Sequence, residues 1–182
     1  MPSLYILLAF TVLILPIRWV GAWVVAAFFH ELCHYTVLRL FRCKVYSVQV
    51  RAFGTVMQTE PLRSLVEILS SLAGPLGGFL LLLFARHFPA VAICGLFHSF
   101  YNLIPLFPLD GGRAVCALIR KIFPSQLGDR IIIVIENIVA IIFIIIGIYG
   151  TFFLKLGPIP LALSAILLLQ NKKRKTTCKA IA

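Results

Sequence analysis

The chain has 182 residues, of which 61% are hydrophobic and only 13% charged. Soluble domains run at roughly 45–50% apolar and about 25% charged, so this composition excludes a water-soluble globule and a disordered chain alike. Seventeen Lys and Arg face six Asp and Glu, a net charge of +11, which in so apolar a chain encodes membrane topology rather than nucleic-acid binding.

Long apolar runs predict an all-α polytopic membrane protein of about six transmembrane helices, each needing about 20 apolar residues. In chain order the spans cover about 3–17, 19–41, 64–85, 88–122, 131–150 and 153–170. They form a single transmembrane domain over 1–170, followed by a basic tail at 171–182. The first span lacks a basic leader and an A-x-A cleavage site, and is expected to be retained. Residues 44–60, KVYSVQVRAFGTVMQTE, carry two β-branched runs around Ala52-Phe53-Gly54 and predict a short membrane-associated hairpin.

Six spans put both termini on one side, and the basic residues sort accordingly. Arg39, Arg42, Lys44, Arg51, Arg63, Arg120, Lys121, Arg130, Lys172, Lys173, Arg174, Lys175 and Lys179 fall on the terminal side. Only Arg18, Arg86 and Lys155 fall opposite, so the termini are expected in the cytoplasm. The tail then meets anionic lipid. Five scattered cysteines with no C-x-x-C indicate neither a disulfide framework nor a thiolate zinc site.

The second span contains His30-Glu31-Leu32-Cys33-His34. Helical positions i and i+4 lie about 40° apart, so both imidazoles share a face and can bind one metal ion. Glu31 is close enough to reach a water there without being a ligand. The alternative, a buried polar helix interface, is weak because ionisable groups in a membrane helix are costly and mark function. A catalytic zinc commonly has three protein ligands, and the candidate third is Asp110 in Asn102-Leu-Ile-Pro-Leu-Phe-Pro-Leu-Asp110-Gly-Gly-Arg113. Pro105 and Pro108 break the helix, while Gly111 and Gly112 allow close approach of neighbours. Broken backbone at membrane depth is tolerated where protein buries it or water reaches it. The other role for Asp110 is to cap the following helix, with Arg113 as its partner.

With HELCH followed by NLIPLFPLDGG, the chain resembles the site-2 protease family of intramembrane zinc metalloproteases. It looks closest to the compact bacterial branch that includes the sporulation protease acting on a pro-sigma factor. The resemblance implies one Zn2+ held by His30, His34 and Asp110, with Glu31 as general base on a zinc-bound water. Asn102 matches the asparagine thought to hold the substrate or the oxyanion. It further implies regulated proteolysis of a membrane-embedded or membrane-associated protein, in a bacterial cell membrane, with membrane regulatory proteins as further partners. Leu103 stands where many members have proline, Gly78 where asparagine is common, and the hairpin has a single Gly54.

Two other functions use the same residues: a non-cleaving membrane chaperone or pseudoprotease, and a metal transporter with His30, His34 and Asp110 as a transit site. Glu31 separates them, because hydrolysis needs a base that is not a ligand. Gly74, Gly77 and Gly78 are expected to let the third span approach the second. His98 is expected to be an interior histidine rather than a ligand. Glu136 is a buried polar group, with packing or substrate gating as its role.

Overall fold

The computed structural model describes residues 16–51 and 54–152 and is mostly helical, with one small antiparallel hairpin. The chain divides into two compact units, Met1–Leu103 and Ile104–Ala182.

In the first unit, helix α1 spans Ile17–Leu40 and begins directly after Pro16. The fixed φ of Pro16 suits a helix entrance, and its carbonyl accepts from Trp19 N at 2.8 Å. At the other end Cys43 N donates to Leu38 O at 2.9 Å and Arg42 N to Arg39 O at 3.0 Å. This is a Schellman closure with Arg42 in the left-handed region at φ 56°, where glycine is the usual occupant. The closure turns the chain straight into strand β1 (Val45–Arg51), which pairs antiparallel with β2 (Gly54–Thr59). The pairing runs from Arg51↔Gly54 to Ser47↔Gln58 and then shifts register before Val45↔Thr59. Ser47 Oγ donates to Gln58 Oε1 at 2.9 Å, and Lys44 N to Glu60 Oε1 at 3.1 Å, closing the open end of the hairpin. The hairpin expected over 44–60 is therefore present.

Helix α2 (Ser64–Leu80) continues as a 3-10 turn over Leu81–Phe84. Helix α3 follows over Pro89–Asn102, with proline at its first position where the missing N–H costs nothing. Helices α1, α2 and α3 pack pairwise. Their shared core is made of small side chains: Ala22, Ala26 and Cys94 with Leu81, flanked by Trp19, Phe29, Ala90 and Val91. Small residues let backbones approach closely, which is how helices associate in lipid, where apolar burial offers little drive.

In the second unit, α4 (Asp110–Ile122) and α5 (Ser125–Phe152) pack against each other through Cys116, Ile119 and Ile132. Leu106 and Leu109, from the segment before α4, pack with Val139 and Phe143 of α5. Arg120 and Asp129 form an exposed ion pair at 3.2 Å beside the corner between these helices.

By length and composition, Ser64–Phe84 and Ser125–Phe152 are each able to cross a membrane. Among the described residues these two helices pass that measure, and they correspond to the expected spans 64–85 and 131–150. The expected spans 3–17 and 153–170 lie outside the described residues. The stretch 88–122 is two shorter helices, and α1 carries Arg18, His30, Glu31, His34 and Arg39, which lower its apolar character.

Candidate metal centre

His30 and His34 lie one turn apart on α1, and both are buried. Their Nε2 atoms are 3.1 Å apart, with the rings edge-to-face at 81°. Two nitrogens on a tetrahedral zinc, each about 2.0–2.1 Å from the ion, lie about 3.3 Å apart, so the pair is spaced to share one ion. The other ring nitrogen of His34, Nδ1, lies 2.5 Å from the carbonyl oxygen of Ser70 on α2. A carbonyl can only accept, so Nδ1 carries the proton and Nε2 presents a lone pair, which is the tautomer a metal requires.

Space for the two imidazoles comes from Gly74. A Cβ there would lie 2.6 Å from His30 Nε2 and would meet His34 Nε2 as well. The glycine is thus required by the imidazole nitrogens themselves. One turn on, a Cβ at Gly77 would collide with Cys33 Sγ and lie 3.0 Å from its Cβ. Cys33 therefore faces α2 as a packing group. Both contacts match the expected approach of this glycine run to the second span. Gly78 differs, because it faces α3, where a Cβ would meet Ser99 Oγ and lie 2.7 Å from Gly95 O. The asparagine common at this position in the resembling family has no room here. Pro75, inside α2, has no N–H to give the Ser71 carbonyl, and its own carbonyl accepts from Ser99 Oγ at 2.9 Å. These contacts fix α3 against α2 at the level of the histidines.

Glu31 follows His30 on α1 and is half-buried. Its position is about 100° around the helix from His30, beside the shared face rather than on it. The side chain of Asn102, at the last turn of α3, donates from Nδ2 to His98 O at 3.0 Å. Sequence reasoning set His98 aside as an interior histidine. The structure puts its ring 4.5 Å from that of His30, nearly perpendicular. Nothing in the spacing of the chain signals this contact, since the two residues come from different helices.

In the second unit Asp110 is the first residue of α4 and is buried. The N-cap position itself is taken by Leu109, with no side-chain cap bond, and Asp110 lies in the first turn. The segment before it folds back through Leu106 N to Ile104 O at 2.7 Å and Leu109 N to Leu106 O at 2.9 Å. Leu106 is fully buried. Gly112 makes this possible, because a Cβ there would lie 2.5 Å from Phe107 N and 2.7 Å from Leu106 O. The Pro-Leu-Asp-Gly-Gly run is therefore a device for seating a loop on the first turn of a helix that begins with a carboxylate. Glu136 is buried on α5, in line with Ile132 and Ala140 at four-residue spacing.

No family model matches the chain. By sequence it is similar to a zinc metalloprotease of Methanocaldococcus jannaschii, 26% identical over 137 residues, covering 68% of this chain. The chain spans 40% of that relative's length. By fold it is similar to the solved site-2 protease from Methanocaldococcus jannaschii, with a TM-score of 0.67 and 21% identity, covering 94% of this chain and 85% of the other. The likeness by sequence is thus to a zinc metalloprotease, and the likeness to the solved site-2 protease is one of fold.

Proposed function

We propose that this chain is a zinc-dependent endopeptidase that cleaves membrane-embedded or membrane-associated protein substrates. The observation that carries the proposal is the His30–His34 pair, with Nε2 atoms 3.1 Å apart and one tautomer set by Ser70 O. Asp110 is the proposed third ligand. A buried carboxylate needs a cation or several donors, and the loop that seats it starts a helix with it. When bound, zinc supplies Lewis-acid activation of water and of the scissile carbonyl.

The chain's own residues do the rest. Glu31, adjacent to a ligand but not one itself, takes the proton from the attacking water and returns it to the leaving amine. The Asn102 amide keeps one N–H beyond the bond it gives to His98 O, and that N–H is the donor proposed for the substrate or the oxyanion. An intact substrate helix hides its carbonyls, so the substrate must be unwound where it is cut. An extended stretch could add to the outer edge of the β1–β2 hairpin.

Membrane residence is supported by the exposure of many large apolar side chains. Leu83, Phe28 and Ile145 are exposed at 77%, 69% and 60%, while the buried set includes Ser70, Ser71, Ser99 and both histidines. Water would penalise such a surface, whereas lipid would not. The charge asymmetry of the sequence supports a cytoplasmic side for both termini.

The test uses purified full-length protein and a transmembrane peptide substrate. Glu31→Gln should lower cleavage about 10²–10⁴-fold with zinc content unchanged, and Asp110→Ala should lower both. Undiminished cleavage by Glu31→Gln, or zinc flux across vesicles in place of proteolysis, would overturn the proposal.

A further inference from the structure

The ring of His98 belongs neither to the proposed ligand set nor to the apolar core. His98, half-buried on α3, packs edge-to-face on two rings of α1. Its centroid is 4.5 Å from that of His30 at 88°, and 5.4 Å from that of Trp23 at 85°. Both distances fall in the range where perpendicular aromatic pairs attract. Trp23 and His30 are seven residues apart, two helical turns or about 10.5 Å along α1. The imidazole of His98 therefore fills the gap between them as a wedge, and the rings form the series Trp23, His98, His30, His34.

The wedge is held from behind. Ser99, the next residue, donates to Pro75 O at 2.9 Å, and Gly78 admits Gly95 and Ser99 at close range. The His98 carbonyl accepts from Asn102 Nδ2 at 3.0 Å, tying the last turn of α3 together. The His34 ring is oriented by its own bond to Ser70 O. Against the His30 ring, the ring of His98 stands nearly perpendicular.

We propose that His98, backed by Trp23, is a positioning residue that fixes the rotation of the His30 imidazole and so sets zinc affinity. The inference rests on the metal reading of His30 and His34. It assigns His98 no ligand role and no proton transfer: the ring acts through packing, by narrowing the rotations open to His30 before metal arrives. Pre-oriented ligands lose less freedom on binding, and outer-shell partners that orient ligands by hydrogen bonds change metal affinity about 10–100-fold, which sets the scale for this contact.

The experiment measures zinc dissociation by chelator competition on the detergent-solubilised full chain, alongside the visible spectrum of the Co2+ form and thermal unfolding without metal. His98→Ala should weaken zinc about 10–100-fold and alter the Co2+ bands, while His98→Phe, which keeps an aromatic ring there, should stay within about threefold of the parent. Trp23→Ala should weaken zinc in the same direction but less. Unchanged zinc affinity in His98→Ala overturns the inference, and so does His98→Phe binding as weakly as His98→Ala. A lowered metal-free unfolding temperature with unaltered zinc affinity assigns His98 a structural role only and also overturns it. Should His98→Ala fail to fold, His98→Phe and Trp23→Ala decide between the same outcomes. A parent protein that binds no zinc would defeat the metal reading itself; a zinc-binding parent with an indifferent His98→Ala defeats this inference alone.

Discussion

The first turn of α4 and the histidine face of α1 each depend on one glycine, but the two glycines make room for different things. Gly74 leaves space for side-chain nitrogens, that of His30 2.6 Å from where its Cβ would stand and that of His34 also in its way. Gly112 leaves space for backbone, the Leu106–Phe107 peptide folded back on the helix start. Side chains can rotate away from an added methyl group, whereas a packed peptide cannot without moving its whole loop. The contrast teaches that one residue type serves binding in one region and folding in the other, and that substitution should separate the two.

Four substitutions sharpen or break that contrast. Gly74→Ala should have the largest effect, lowering zinc affinity by at least about 100-fold with little change in the metal-free unfolding temperature. A zinc titration that matches the parent would remove the ligand-space argument. Gly112→Ala should act the other way round, destabilising the protein by about 3 kcal/mol, the upper end of overpacking costs. Denaturant unfolding in detergent would measure it, and an unaffected midpoint would show that the loop is not seated as described. Ser99→Ala removes a buried donor from Pro75 O and should cost about 1–2 kcal/mol, again read as unfolding. At the small end, Asp129→Ala breaks an ion pair whose side chains are 52% and 56% exposed. It should change stability by less than about 0.5 kcal/mol; a larger loss would mean that the α4–α5 corner matters more than its packing indicates.

Regular elements and the candidate ligands on them were legible in the sequence because they follow local rules. His30 and His34 share a face by helical spacing alone, and Asp110 is marked by the prolines and glycines around it. The hairpin over 44–60 follows from its β-branched runs. What spacing does not carry is contact between helices. The bond from His34 to Ser70 O, the wedge of His98 against His30, and the separate partners of Gly77 and Gly78 all depend on how α1, α2 and α3 meet. The prolines in 88–122 mark where that stretch divides into two helices, although the positions of the helix ends do not follow from composition.

Zinc K-edge X-ray absorption on the zinc-loaded full-length protein tests the central claim most directly. The account predicts two imidazole nitrogens at about 2.0–2.1 Å with oxygen completing the shell, and loss of the imidazole signal in the His30→Ala, His34→Ala double variant. Sulfur scattering at about 2.3 Å, or an imidazole signal that survives the double substitution, would contradict it.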